Sequence, residues 1–470
     1  MGFFFLYLGF RAFLDQQHLP EGYRGCRRFF VRNYYRQLGA PTVRLGGRRR
    51  PLPRKSRKHC LCWIGRIWEK PMHTRFHVVT VLHPSGERLP ILLDADRQPI
   101  PWVNAYLIQR LRPRLSVSSL VKTLRVLGYM WAWASAEAFP LQARLVSGQG
   151  LSQDEIVGRL YPWLRRNFQA TGKVRKLVVS PNTVAFRLNV VSQFVGWHLE
   201  CAMSALPVGS PEIRDIRTRL TLIERSFATA VRARVESSVH AVPLSDDRLQ
   251  RLLQICHPDA YDNPWKMPYR RRNFLIVLMM ATLGVRRGEL LKLRVSDCHL
   301  ARAVPEIRVE RSPDDPVDPR INEPQVKTES RHLPCDASLA RYLNEYICRG
   351  RRQIPGANRS PFLFLSRGGQ PMSLARVNGL FDQVSAVHPE FDDLHPHCLR
   401  STCATNFRAA GLRNGLDDER VDKDMMYFFG WRSADSVRPY IDAAIRRESY
   451  EISLSYQALL FDRSIVRGNR

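Results

Sequence analysis

The sequence predicts a mainly α protein with small β elements, organised as two helical lobes behind a basic N-terminal extension. Three observations carry that prediction. Apolar residues recur at helical spacing from Trp102 to about Val235. A second helical series, with its own cap signals, starts near Pro243 and contains only short strand-like runs. A single clear hairpin pattern lies between Thr74 and Leu93. At 470 residues the chain has room for two or three domains. We divide it into a basic region with a β-hairpin at 1–95, a helical domain at 96–235 and a mixed α+β domain at 242–470.

Residues 1–58 carry fourteen Arg and Lys against two acids, Asp15 and Glu21. Arg48, Arg49 and Arg50 form a run, and Arg54, Lys55, Arg57 and Lys58 another, with Gly and Pro between the charges. This composition predicts a flexible basic arm suited to phosphate contacts, or a solvated tail without a specific partner. The apolar start breaks at Arg11, too short to span a bilayer, and lacks the basic segment and small-residue cleavage site of a signal peptide.

The hairpin reads as Phe76 to Leu82, a turn at Pro84-Ser-Gly-Glu87, and Leu89 to Leu93. Beyond it, Ser116 to Trp133 and Thr183 to Trp197 have the texture of amphipathic helices. Lys122, Arg125 and Arg187 fall on their polar sides and are candidate DNA contacts. Tyr129, Trp131, Trp133, Phe194 and Trp197 are expected in the core of a helix bundle. The linker is placed at Val231 to Val242, and Ser245 is the expected N-cap of the next helix. There follow a helix ending near Leu283, short strands at Glu306 to Arg311 and Arg331 to Pro334, a helix at Ser338 to Arg349, and a last helix at Asp442 to Leu460.

With 73 Lys and Arg against 43 Asp and Glu, the formal charge is +30. A field of that sign favours a polyanion, nucleic acid above all. Ten cysteines are scattered, as expected of reduced thiols in a cytosolic protein. His59, Cys60 and Cys62 lie close together, but no second pair completes a zinc set, so no metal or cofactor is expected.

The chemistry concentrates in the last two hundred residues. Pro396-His-Cys-Leu-Arg400 puts His397 and Arg400 three apart, on one face of a helix. Trp431 follows Gly430, and Tyr440 comes nine positions later past Ser-Ala-Asp-Ser. Arg286 stands in Gly284-Val-Arg-Arg-Gly-Glu289, and Lys327 in Gln-Val-Lys-Thr. Arginine presents a planar fork of donors to phosphate oxygens and keeps its charge. Two arginines, a lysine, a His/Trp pair and a tyrosine suit a phosphodiester attacked by a phenol.

In order and spacing these motifs resemble the tyrosine recombinase (phage integrase) family from about Val242 to Tyr450. The resemblance implies a helical, SAM-like core-binding domain followed by an α+β catalytic domain that together clamp DNA. It implies catalytic roles for Arg286, Lys327, His397, Arg400 and Trp431, with Tyr440 as nucleophile and Glu289 at a supporting acidic position. The lysine would be the general acid on a mobile hairpin, with Lys292 a weaker alternative. Trp431 cannot be a general base, since indole only donates, so His397 is the better candidate for steering the tyrosine proton. Ser401 departs from the histidine that many members have there. Tyr427 is a rival nucleophile, set aside because Met-Met-Tyr-Phe-Phe reads as a buried helix segment.

The implied activity is site-specific cleavage and rejoining of double-stranded DNA through a 3′-phosphotyrosyl link. A homotetramer on paired sites is implied, with possible accessory DNA-bending or directionality proteins and a cytoplasmic, nucleoid-associated location. Two alternatives stay open: DNA relaxation like that of a type IB topoisomerase, and a DNA-binding protein of this fold that does not cleave.

Overall fold

The computed structural model describes residues 76–168, 177–231 and 242–464. Arg48, Arg49, Arg50, the His59/Cys60/Cys62 group and most of the expected linker lie outside them. The chain divides into two compact units, one running to residue 237 and the other from 238 onward, the hairpin turn 82–87 being grouped with the second.

In the first unit, strands β1 (His77–Leu82) and β2 (Arg88–Leu93) form the expected two-stranded sheet. They are followed by α1 (Pro101–Tyr106), α2 (Val117–Ala136), α3 (Leu141–Val146), α4 (Tyr161–Leu164), α5 (Pro181–Ser204) and α6 (Pro211–Val231). Helix α5 starts where Pro181 fixes φ and the Ser180 hydroxyl accepts from the Thr183 N–H at 3.4 Å. The sheet shares the helices' core: Leu92 is buried in it, and Phe76, Val78 and Leu89 pack against it. The two strands therefore pack against the helices that follow them.

The aromatic residues do form that core. Trp133 and Phe194 are fully buried, Tyr129 and Trp197 nearly so, and Trp131 meets Phe194 edge to face at 5.5 Å. Arg187 corrects an expectation. It is buried, and its guanidinium donates to the carbonyls of Leu164 at 2.6 Å and Arg166 at 2.8 Å while lying over the Tyr129 ring. Those carbonyls end α4, so Arg187 caps a helix, and its donors are spent on buried carbonyls instead of standing on the helix's polar face. Lys122 and Arg125 are exposed, as expected.

The second unit holds α7 (Asp246–Cys256), α8 (Arg270–Leu283), α9 (Arg287–Lys292), α10 (Ala337–Glu345), α11 (Leu374–Val387), α12 (Pro396–Arg413), α13 (Asp418–Phe429) and α14 (Arg438–Ser464). Ser245 caps α7, accepting from the Arg248 N–H at 3.3 Å. Between α9 and α10, strands β3 (Cys298–His299), β4 (Glu306–Val309) and β5 (Arg331–Pro334) make an antiparallel sheet. Helix α8 is buried nearly all round, the centre of a core that also takes Leu290, Ile307, Leu333, Phe381 and Leu399. The last helix starts four residues earlier than expected and includes Tyr440 in its first turn.

Among the described residues no helix is long and apolar enough to cross a membrane, and no cluster of three or more His, Cys, Asp or Glu could hold a metal.

Candidate active site

Two left-handed glycines shape the site. Gly284 (φ +57°) stops α8 and turns the chain so that Arg286 becomes the N-cap residue of α9. Gly430 (φ +62°) stops α13 and delivers Trp431. A glycine at such a helix end avoids the Cβ penalty of a left-handed residue.

Arg400, on α12, is buried and joins these two ends. Its guanidinium donates to the Gly284 carbonyl at 2.5 Å and to the Phe429 carbonyl at 3.0 Å. It also lies against the Phe429 and Trp431 rings, 5.1 and 5.5 Å from their centroids. Phe429, Trp431 and Tyr440 form a column of rings: Phe429 and Trp431 are 4.9 Å apart and 22° from parallel, Trp431 and Tyr440 5.3 Å and 16°. Tyr440 is half-buried in this column, and its backbone N–H donates to the Val437 carbonyl at 2.9 Å. The proposed nucleophile is thus seated by stacking, with a buried guanidinium beside the column.

Glu289 ties the cations together. Its carboxylate, fully buried, accepts from the Arg286 backbone N–H at 3.0 Å, the Arg331 guanidinium at 2.9 Å and the Thr328 hydroxyl at 2.7 Å. The Arg286 guanidinium lies 3.4 Å from it and that of Arg400 3.9 Å. Burial alone would push this carboxyl up. Arg331 and Arg400, with the hydrogen bonds from Arg331 and Arg286, outweigh burial and hold it below the ordinary carboxylate range. The opposite happens at Arg400, where burial, reinforced by Arg286, pushes the guanidinium down to about 9. A cation held at such a cost is one that an arriving phosphate would stabilise.

The structure brings Arg286, Glu289, Arg400, Trp431 and Tyr440 into one connected group. His397 is exposed, one turn before Arg400 on α12, whose N-cap is the His395 side chain accepting from the Cys398 N–H at 3.2 Å. Lys327 is exposed and adjoins Thr328, which is bonded to Glu289. Lys292 is a different object: buried, its ammonium 2.6 Å from Glu323, 3.2 Å from Asp315 and 3.8 Å from Asp318. Three carboxylates occupy it, so it is no alternative to Lys327.

Tyr427 also corrects a premise. It is 70 % exposed on α13, not buried. What sets Tyr440 apart is its stacking on Trp431, not the burial of its rival. Sequence reasoning missed Arg331 and Thr328. The Arg331 guanidinium bonds Glu289, the Thr328 hydroxyl at 3.0 Å and the Phe428 carbonyl at 2.7 Å. Their position just after Lys327 was the available signal.

Residues 243–447, within the C-terminal unit, match the model of the phage integrase family, the tyrosine recombinases. No curated protein matches the chain. Among solved structures the chain is similar to XerA recombinase, with 18 % identity over 74 % of this chain and 97 % of that one, at a TM-score of 0.33. It is similar to XerH site-specific recombinase bound to palindromic difH substrate in a post-cleavage complex, with 14 % identity over 73 % and 98 % and a TM-score of 0.37. It is also similar to the Tn1549 transposon integrase in complex with circular intermediate DNA, with 16 % identity over 66 % and 98 % and a TM-score of 0.37. Likenesses this distant transfer no residue role.

Proposed function

We propose that this protein is a site-specific DNA recombinase that cleaves and rejoins double-stranded DNA through a 3′-phosphotyrosyl intermediate on Tyr440, serving integration or excision of a mobile element. One observation carries the reading: Tyr440 stacks on Trp431 beside the buried Arg400, and Glu289 joins Arg400 to Arg286. The DNA-bound state of the XerH and Tn1549 relatives agrees with the partner, and the +30 charge favours the same polyanion.

In the proposed reaction the Tyr440 oxygen attacks phosphorus and the bond from phosphorus to the 5′ oxygen breaks. The phenolic proton passes towards His397. Lys327 gives a proton to the leaving 5′ oxygen. Arg286 and Arg400 meet the charge that develops on the non-bridging oxygens, and the Trp431 indole N–H is a further donor. The phosphotyrosyl bond retains the energy of the phosphodiester, so a second 5′-hydroxyl reverses the step without a nucleotide cofactor. Lys122 and Arg125 on α2 contribute backbone contacts. The acting species is a homotetramer on two DNA sites, with accessory DNA-bending proteins setting direction.

The test is covalent capture. Full-length protein is mixed with a randomised duplex library containing nicks, denatured, and the DNA that stays attached is sequenced. Wild type yields an enriched sequence and Tyr440→Phe yields none. Adducts that persist in Tyr440→Phe and vanish in Tyr427→Phe would move the nucleophile. Binding without adducts would make the protein a non-cleaving DNA binder. Relaxation of any supercoiled plasmid, with no enriched sequence, would make it a topoisomerase.

A further inference from the structure

Lys327 stands on a long connection between β4 and β5, yet that connection is fastened on both sides of it. Upstream, Glu323 is buried and accepts from the Lys292 ammonium at 2.6 Å and from the Asp314 and Asp315 backbone N–H groups at 3.0 and 3.1 Å. Gln325 lies so close to α9 that a Cβ on Gly288 would come within 2.4 Å of its carbonyl oxygen. Val326 is buried in the unit's core. Downstream, Thr328 is 2 % exposed and bonded to Glu289, and the Glu329 N–H donates to the Gly430 carbonyl at 3.2 Å. With residues 326 and 328 turned inward, Lys327 between them is turned out.

Arg331 closes this arrangement. Its three guanidinium nitrogens donate to the Thr328 hydroxyl, Glu289 and the Phe428 carbonyl. One buried carboxylate, Glu289, therefore holds the phosphate-binding arginines with one set of contacts and the neighbour of Lys327 with another.

We infer that Thr328 and Arg331 are positioning residues that aim Lys327 at the leaving oxygen through Glu289, so the proton donor and the phosphate cradle share one anchor. This rests on the strand-cleavage reading above. It differs from that reading's expectation of a mobile hairpin, because a general acid fixed before the substrate arrives needs no ordering step. The positioned step balances simply: as the bond from phosphorus to the 5′ oxygen breaks, the oxygen takes the electron pair and one proton from the Lys327 ammonium, leaving a neutral amine.

A 5′-bridging phosphorothiolate ester isolates this role, because a thiolate leaves without needing a proton. The probe is the duplex recovered by covalent capture, made with an ordinary ester or with sulfur at the 5′ bridge. Thr328→Val, which keeps shape and loses the hydroxyl, and Arg331→Lys are compared with wild type and with Lys327→Ala. Proton donation typically contributes about a hundred- to ten-thousand-fold. We expect Thr328→Val and Arg331→Lys to lose at least about tenfold on the ordinary ester and to cleave the sulfur ester within about threefold of wild type. Equal losses on both esters, with Lys327→Ala selectively rescued, would overturn the inference alone, leaving Thr328 and Arg331 as supports of the arginines. A Lys327→Ala protein that sulfur does not rescue would remove the lysine as the acid, and the inference with it. No adduct from wild type on either ester would sink the cleavage reading itself. Should Arg331→Lys fail to fold, Thr328→Val decides the matter.

Discussion

Replacing Glu289 by Gln puts the site's main anchor to the test. The amide keeps the shape but loses the charge, and one of its two ends becomes a donor. Every described partner of Glu289 is a donor: the Arg286 N–H and guanidinium, the Thr328 hydroxyl, and the guanidinium groups of Arg331 and, farther off, Arg400. Arg331 and Arg400 are themselves almost fully buried, with side chains 2 % and 1 % exposed. The substitution therefore leaves buried cations without their counter-charge, which costs about 3–5 kcal/mol. For a unit of this size each kcal/mol shifts the melting temperature by about 2–4 °C, so E289Q should melt at least about 6 °C below wild type at pH 7. Acid supplies a second check. The folded-state pKa of Glu289 is depressed, so its contribution is complete above the unfolded value near 4.3 and is lost as pH falls below it towards the folded value. Glutamine does not titrate, so the gap between the two proteins should narrow below about pH 4. Thermal melts followed by circular dichroism from pH 7 to 3 measure both. A gap under about 2 °C at pH 7, or one that holds constant into acid, would refute the view that Glu289 holds these cations.

Lys292→Met should cost about 3 kcal/mol in chemical denaturation, because it takes the shared buried cation away from Asp315, Asp318 and Glu323, while Arg294 still pairs with Asp315 and Arg320 with Asp318. His198, buried among Trp102, Phe194 and Trp197, has neither ring nitrogen hydrogen-bonded, and burial pushes it down to about 3. His198→Phe should raise the melting temperature of the first unit. Because the unfolded histidine takes a proton near 6.5 and the folded one resists it, wild type should lose stability as pH falls from 6.5 towards 3, and the variant should lose less. Lys122→Ala and Arg125→Ala should each lower the salt dependence of DNA affinity by about one in log–log slope, measured by fluorescence anisotropy, whereas Arg187→Ala should lower the first unit's melting temperature instead.

The parts of the site legible in sequence were those that local chemistry writes down. Gly284 and Gly430 mark where helices stop, and the arginine and the tryptophan just beyond them are placed by that punctuation. His397 and Arg400 share a helix face, so their spacing is informative before any folding. Arg187 was misplaced because helical periodicity separates polar from apolar positions but not a solvated guanidinium from one that spends its donors on buried carbonyls. Tyr427 was misjudged because a run of five large apolar residues reads as core, although a helix of that composition still has an outward face. Arg331 escaped notice, and Lys292 was read as a spare proton donor, because the partners that define them, Glu289 and Phe428 for the one and Asp315 and Glu323 for the other, lie 23 to 97 residues away in sequence. Contacts of that range leave no periodic trace.

Arg400 has one more consequence, for how an inactive variant is interpreted. Its two carbonyl partners end helices whose other residues are remote in sequence, so the guanidinium serves as a rivet between α8 and α13. A side chain that grips the frame and, in the proposed reaction, also meets the substrate cannot be deleted for one purpose alone. Loss of cleavage in an Arg400 variant would mix chemistry with carpentry. A silent version of the protein, intact enough to hold DNA while doing nothing to it, is better made at Tyr440, where only the hydroxyl need go.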